Sequence, residues 1–242
     1  MTVLEPLPWD TAFFGVSIAR ARAPSLTSAQ LKDLRAEAAA AGYALVYVFL
    51  DRPLATALAW APLVDERVDY HRPWDANALS AADDAPAVSS VPRDATVGAD
   101  LLALGRAAGA HSRFRADPLF TEAAFGRLYD RWVRASVRRE IADEFLVYDR
   151  GLGLVTGAVS GGELRIGLIA VDVAARGRGV GAALLEALPR HVAPASAFDA
   201  VAVATQADNR PACRFYERRG FRSRSRTYVY HVRMADAPSS IT

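Results

Sequence analysis

The sequence predicts an α/β protein with a mixed central sheet and a smaller N-terminal α/β region. Three observations predict it. From about residue 95 onward, apolar runs of strand length alternate with segments of helix length. Tight turns such as Gly161-Gly162 join some of those runs as hairpins, so the sheet is mixed rather than purely parallel. Ahead of them stands a strand–helix–strand–strand series ending in a stretch poor in large apolar residues.

In the first region, residues 13–23 read as a strand and residues 28–41 as a helix. Thr27 or Ser28 is its expected cap and Gly42 its stop. Residues 43–50, YALVYVFL, form a buried strand, followed by a short helix over 53–59 and a strand over 65–72. Residues 75–94 are small, polar and acidic, with Pro86 and Pro92, and read as a linker or long surface loop. The boundary is placed near residue 93, giving regions 1–93 and 94–242. Two helices follow over 96–109 and 120–139, the second with Phe125, Leu128, Trp132 and Val133 at steps of three or four. Strands over 144–148 and 152–159 flank Asp149-Arg150-Gly151, and another covers 164–171. A helix from Val180 to about Val192, a strand over 198–205, a helix over about 210–219 and terminal strands over 221–234 complete the series.

Of the 242 residues, 52% are hydrophobic, enough for one sizeable core or two modest ones. With 29 basic and 27 acidic side chains, the charge total points to no nucleic-acid surface. A single cysteine, Cys213, excludes an internal disulfide and a cysteine-rich metal site. The four histidines form no metal-ligand pattern. MTVLEPLPWD does not resemble a secretion signal, and no apolar run is long enough to span a bilayer. The expectation is a cytoplasmic protein with no membrane insertion.

The strongest chemical signal lies in Ile169, Ala170 and Val171, followed by Arg176-Gly177-Arg178-Gly179-Val180-Gly181 and Ala182. An apolar strand enters a loop of alternating arginine and glycine where a helix begins. Glycine lets a backbone approach an anion closely, and the free amides of a helix start favour phosphate oxygens. Arg176 and Arg178 add positive charge beside that nest. The pattern is neither GxxxxGK[ST] nor GxGxxG, so kinase and Rossmann readings lack their anchors. A plain glycine-rich helix entry is the competing structural account.

The segment resembles the acyl-CoA signature of the GNAT family of N-acetyltransferases, [Arg/Gln]-x-x-Gly-x-[Gly/Ala], through Arg176, Gly179 and Gly181. Asn209, Ala212, Tyr216, Gly220 and Phe221 resemble the family's downstream Asn-x-x-Ala-x-x-x-Tyr-x-x-x-Gly-Phe region. The resemblance implies acetyl-CoA as cofactor. The backbone at Ile169, Ala170 and Val171 would bind pantetheine, the loop from Arg176 to Ala182 would cradle pyrophosphate, and Asn209 would join the cofactor site. Tyr216 would assist the departing CoA thiolate; a phenol of ordinary pKa stays protonated near neutrality and can donate. Tyr216 also fits an aromatic packing role, and Cys213, with no local histidine partner, fits a structural thiol.

Trp9-Asp10-Thr11-Ala12-Phe13-Phe14-Gly15, Ser112-Arg113-Phe114-Arg115, Leu128-Tyr129-Asp130-Arg131-Trp132-Val133 and the run from Val203 to Asn209 are similar to the TDP-fucosamine acetyltransferase group within that family. That similarity spans both regions. It implies a small-molecule amine acceptor, the 4-amino group of a TDP-linked deoxyamino sugar in surface-polysaccharide synthesis, with Phe114, Arg115, Tyr129 and Trp132 on the acceptor side. Helical spacing by itself favours Phe114 and Trp132 as core residues over specificity residues. Another small amine, a peptide N-terminus, an antibiotic, or acyl-CoA binding without catalysis stay open as alternatives. So does a homodimer. Glu66, Glu140 and Glu144 are carboxylates from which a base could come, but linear order assigns none, and an ordered water would serve equally.

Overall fold

The computed structural model describes residues 2–75, 87–235 and 237–242. The elements are β1 (Glu5–Pro6), α1 (Pro8–Phe14), β2 (Ile18–Ala23), α2 (Ser28–Ala40), β3 (Leu45–Leu50), β4 (Leu63–Pro73) and β5 (Val88–Ser90). They continue with α3 (Ala99–Ala108), α4 (Arg113–Ala116), α5 (Glu122–Val137), β6 (Glu144–Tyr148), β7 (Gly153–Ser160) and β8 (Glu163–Val171). The last are α6 (Val180–Val192), β9 (Ala200–Gln206), α7 (Arg210–Arg218) and β10 (Arg222–Arg233). Among the described residues the strands form one mixed sheet in the order β1-β2-β3-β10-β4-β9-β8-β7-β6-β5.

That order decides how the two sequence regions relate. β10 lies between β3 and β4, antiparallel to both, and β4 is antiparallel to β9. The sheet therefore runs without a break across the division placed near residue 93. Side chains alternate along each strand, so the sheet has two covered faces. Leu31, Leu34 and Ala38 of α2 pack on Val46, Val48 and Leu50 of β3, while α6 and Tyr216 of α7 pack on Val68, Tyr70, Val201 and Val203. The opposite face carries α1 and α3 to α5 over Tyr47, Phe49, Phe145, Leu168 and Val229.

Local chemistry explains most of the boundaries. Thr27 accepts from Gln30 N at 3.2 Å while Gln30 Oε1 accepts from Thr27 N at 2.9 Å, closing a reciprocal cap on α2. Leu184, Leu185 and Leu188 of α6 are fully buried, each burial stabilising by about 1.5–3 kcal/mol. A Cβ at Gly153 would stand 2.9 Å from Leu184 Cδ1 and Val180 Cγ1, so this glycine lets α6 rest close on β7.

Four expectations are corrected. The strand over 13–23 splits into the end of α1 and β2, with Pro8 opening α1 and Gly15, at φ 71°, closing it. Residues 53–59 are not helical, because the segment is tied to β10: Leu54 N donates to Tyr230 Oη at 2.9 Å, and Arg233 N to Trp60 O at 2.9 Å. The end of the stretch 75–94 holds β5, paired with β6; residues 76–86 lie outside the described residues. The terminal strands are one twelve-residue strand, and α4 is an additional short helix.

On the α4 side, Asp117 and His231 are wholly buried. His231 Nδ1 lies 2.6 Å from Asp117 Oδ2, and Arg233 also donates to Asp117. Burial pushes the imidazole down to about 4, so it is neutral and its Nδ1–H donates to the carboxylate. The contact pins α4 to β10.

Candidate active site

β8 and β9 run parallel and pair from Glu163↔Ala200 only as far as Ile166↔Val203. β8 continues to Val171 and β9 to Gln206, so the two strands part and open the middle of the sheet. A bulge in β8 drives the parting. Between the pairs Val155↔Ile169 and Gly157↔Ile166, Thr156 faces both Gly167 and Leu168, and its Oγ1 accepts from Leu168 N at 2.9 Å. The bulge also exchanges faces. Leu164 and Ile166 point towards α6, whereas Leu168 and Ala170 point towards α3–α5 and Ile169 and Val171 return to the α6 side.

β8 delivers the chain to the glycine loop. Arg176 Nε donates to Val171 O at 3.2 Å, and Gly177 and Gly179 take φ of 74° and 83°, conformations that exclude most side chains at little cost to glycine. A Cβ on either would meet nothing within 4 Å, so both positions face open space. The first amide bond at the start of α6 is Ala183 N to Gly179 O at 3.0 Å. Among the described residues, the amides of Gly177, Arg178, Gly179, Val180, Gly181 and Ala182 donate to no chain acceptor. Six open amides at the positive end of a thirteen-residue helix, beside exposed Arg176 and Arg178, meet the needs of a pyrophosphate.

α7 places Tyr216 on the same side. Asn209 Oδ1 caps the helix by accepting from Ala212 N at 3.3 Å. The Tyr216 ring is 4% exposed and lies 6.0 Å from Tyr70 and 5.7 Å from Phe221. Its hydroxyl has no hydrogen-bond partner among the described residues, yet it is not one of the sealed unpartnered oxygens. Burial, then the neighbouring Cys213, pushes the phenol well above its ordinary pKa, so it is a donor. Cys213 Sγ lies 3.5 Å from Gln206 O at the mouth of the opening.

Of the four acceptor-side candidates, Phe114 and Tyr129 each pack on Trp132 and on other aromatics of the α4-side core, and Arg115 forms no ring contact with any of these three among the described residues. Phe114 is 3% exposed, 5.1 Å from Phe120 and 6.2 Å from Trp132. Tyr129 is buried 4.8 Å from Phe125 and 4.9 Å from Trp132. Arg115 is exposed, paired with Glu122 and set 5.2 Å over Phe125. Arg113 faces the sheet together with Phe114: its guanidinium lies 4.8 Å over Tyr47 and 4.4 Å over Phe114, and Phe114 lies 6.2 Å from Tyr47.

Sequence reasoning missed Asp65. It stands on β4 beside the end of β9, where Gln206 Nε2 donates to its Oδ2 at 3.4 Å. Its Oδ1 is buried with no partner among the described residues. Burial pushes the carboxyl up to about 6, against the pull of Gln206, Arg113 and Arg67. The three carboxylates named from sequence are all engaged: Glu66 with Arg226, Glu140 with Arg138 and Arg131, and Glu144 with Arg139. Glu66 follows Asp65 on the strand and so points to the other face. A carboxylate on the α4 face and a phenol on the α7 face thus lie on opposite faces of the sheet, Asp65 beside the end of β9, the strand that borders the opening.

A helix start with open amides beside parted strands meets the two needs of an acyl-CoA-dependent transferase, a place for phosphate and a free strand edge. Residues 119–221 match the model of the acetyltransferase (GNAT) family. A dTDP-fucosamine acetyltransferase from Escherichia coli O6:H1 is 33% identical over 237 residues, covering 93% of this chain and 96% of that protein. Among solved structures, a functionally unknown conserved protein from Staphylococcus epidermidis superposes with a TM-score of 0.61 at 15% identity, covering 96% of this chain and 91% of its own. A GCN5-related N-acetyltransferase from Sphaerobacter thermophilus gives 0.54 at 17% identity, covering 99% and 79%. The chain belongs to the GNAT family. It is an acetyltransferase with acetyl-CoA as its cofactor.

Proposed function

We propose that the protein transfers acetyl from acetyl-CoA to the 4-amino group of a TDP-linked deoxyamino sugar by direct aminolysis. The observation that carries the mechanism is the opening between β8 and β9, with Tyr216 on one face of the sheet and Asp65 on the other. The 33% identity to the dTDP-fucosamine enzyme along nearly the whole chain supports the acceptor class.

Bound acetyl-CoA supplies an activated thioester carbonyl. The open amides of residues 177–182, with Arg176 and Arg178, hold its pyrophosphate, and the unpaired edge at Ile169, Ala170 and Val171 holds pantetheine. Asn209 orders α7 at that site through its cap. Phe114, Tyr129 and Trp132 form the wall behind the acceptor, with Arg115 at its outer edge. The uncharged amine attacks the carbonyl carbon, a C–N bond forms and the C–S bond breaks. Asp65 accepts the proton that nitrogen releases. Tyr216 donates a hydrogen bond to the sulfur as negative charge develops there, and the CoA leaves as the thiolate.

The test is single-turnover acetyl transfer with the wild type and Tyr216→Phe. The acceptors are TDP-4-amino-4,6-dideoxygalactose, its 3-amino and gluco counterparts, free amino sugars, peptides and aminoglycosides, with mass spectrometry locating the acetyl group. The TDP-linked 4-amino galactose compound should give the highest kcat/KM, and Tyr216→Phe should slow the chemical step by roughly 10²-fold with little change in acetyl-CoA affinity. Inert TDP-sugars beside efficient peptide or aminoglycoside acetylation would overturn the acceptor class. An unchanged rate would return Tyr216 to a packing role.

A further inference from the structure

The strand registers set out a line of side chains across the α4 face. Arg22 of β2 is level with Phe49 of β3, Phe49 with Val229 of β10, and Val229 with Asp65 of β4. Residues level with one another project from the same face, so this row runs from a cation to the carboxylate at the opening, about 14 Å at three strand spacings.

The cationic end holds two arginines. Arg22 lies 4.4 Å over the Phe49 ring, and Arg113 reaches the same ring from α4 at 5.8 Å. Their neighbours are neutralised, Arg20 by Glu5 at 2.7 Å and Arg67 by Asp69 at 2.7 Å. Neither Arg22 nor Arg113 forms an ion pair among the described residues, and Arg113 Nε is buried without a partner. Burial, then Arg20, Arg67 and Arg113, lowers the pKa of Arg22, as expected for crowded like charges. Asp10 stands near Arg113, its carboxyl raised by burial against the pull of Arg113 and Arg20. Beside Arg22 and Phe49 opens a hollow of about 240 Å³, lined also by Ala23, Pro24, Asp51 and Thr227.

A buried guanidinium nitrogen with no acceptor is costly unless a ligand supplies one. Two planar forks over one aromatic ring suit the several oxygens of a diphosphate. Distance makes the choice sharper. A free amino acid carries its amine and carboxylate too close together to reach both Asp65 and this arginine pair, whereas a diphosphate-linked 4-amino sugar holds its amine and its diphosphate a sugar ring apart. We propose that Arg22 and Arg113 bind the diphosphate of the acceptor, so that the N-terminal strand β2 supplies half of an acceptor subsite. The proposal rests on the sugar-nucleotide reading above.

The test titrates inorganic pyrophosphate and TDP into protein already saturated with acetyl-CoA, which blocks the glycine loop, and repeats this with Arg22→Gln, Arg113→Gln and Arg22→Lys. Wild type should bind both probes. Each Gln variant should weaken binding roughly tenfold or more, as for loss of a charge-assisted contact, with Arg22→Lys partly restoring it. Acetyl-CoA affinity, which also reports folding, should stay within about twofold. No binding by the saturated wild type, or undiminished binding by folded Gln variants, overturns the subsite. Turnover of TDP-amino sugars with a kcat/KM insensitive to both arginines overturns the subsite and leaves the acceptor class standing. Arginine-dependent pyrophosphate binding in a protein that acetylates no TDP-sugar keeps the anion subsite and removes the sugar reading.

Discussion

Asp65 and Tyr216 are perturbed by the same cause, burial, with opposite uses. The phenol is pushed up and stays protonated as a donor, while the carboxyl is raised only to about 6 and is ionised at neutral pH. A base of that pKa loses its function as pH falls through 6, so the single-turnover rate should have an acid limb there. Asp65→Asn should remove the limb and lower the rate by about 10²-fold or more. Stability should move the other way. Between 3.8 and about 6 the folded state binds more protons at this site than the unfolded chain, so the site's penalty is fully present above 6 and is relieved as pH falls. At pH 7.5, Asp65→Asn should therefore leave Tm unchanged or raise it. A lowered Tm with a normal transfer rate would make Asp65 a structural residue. Nothing in the linear sequence could single it out: Asp65, Glu66 and Asp69 are alike in composition, and only strand parity and burial separate them.

At the scale of elements, the conformation of the glycine loop and of α6 was legible and the packing of α4 and the parting of β8 and β9 were not. Residues 176–182 carry their conformation locally, since left-handed glycines and a helix start can be read as consecutive letters. α6 spans Val180–Val192, as its apolar spacing predicts. The packing of α4 depends on contacts remote in sequence. α4 is a four-residue helix, and which of Arg113, Phe114 and Arg115 faces the sheet is set by packing against Tyr47. The opening itself comes from a one-residue bulge opposite Thr156, which has no compositional mark. The loop yields a direct prediction. Gly179→Asp adds a carboxylate at the proposed pyrophosphate site, and a side chain at φ 83° adds strain of about 1–2 kcal/mol. By calorimetry the acetyl-CoA Kd should rise at least about tenfold, and by less for Gly179→Ala, which adds strain without charge. Equal affinity in folded Gly179→Asp would move the pyrophosphate elsewhere.

For the whole molecule, the decisive feature is that β4, from the first region, is hydrogen-bonded on both sides by strands of the second. It pairs with β9 from Arg67↔Gln206 to Pro73↔Ala200 and with β10 from Arg222↔His71 to Tyr230↔Leu63. Val68 and Tyr70, each 3% exposed, fill the core beneath α7, and Tyr70 Oη donates to Glu217 Oε1 at 2.9 Å. Composition suggests a division near residue 93 because residues 75–94 are small and polar, but strand pairing is non-local and leaves no trace in composition. Residues 94–242 alone would leave β9 and β10 as unpaired edges above an exposed apolar face, and α7 would lose the Tyr70 contact that steadies Tyr216. That fragment should therefore show no cooperative thermal transition, weak near-ultraviolet circular dichroism and no heat on titration with acetyl-CoA, although every residue of the glycine loop is present. Cooperative unfolding together with acetyl-CoA binding in the fragment would make residue 93 the edge of an autonomous domain. The N-terminal region would then be left with only the acceptor-side role that Arg22 and Asp65 assign to it.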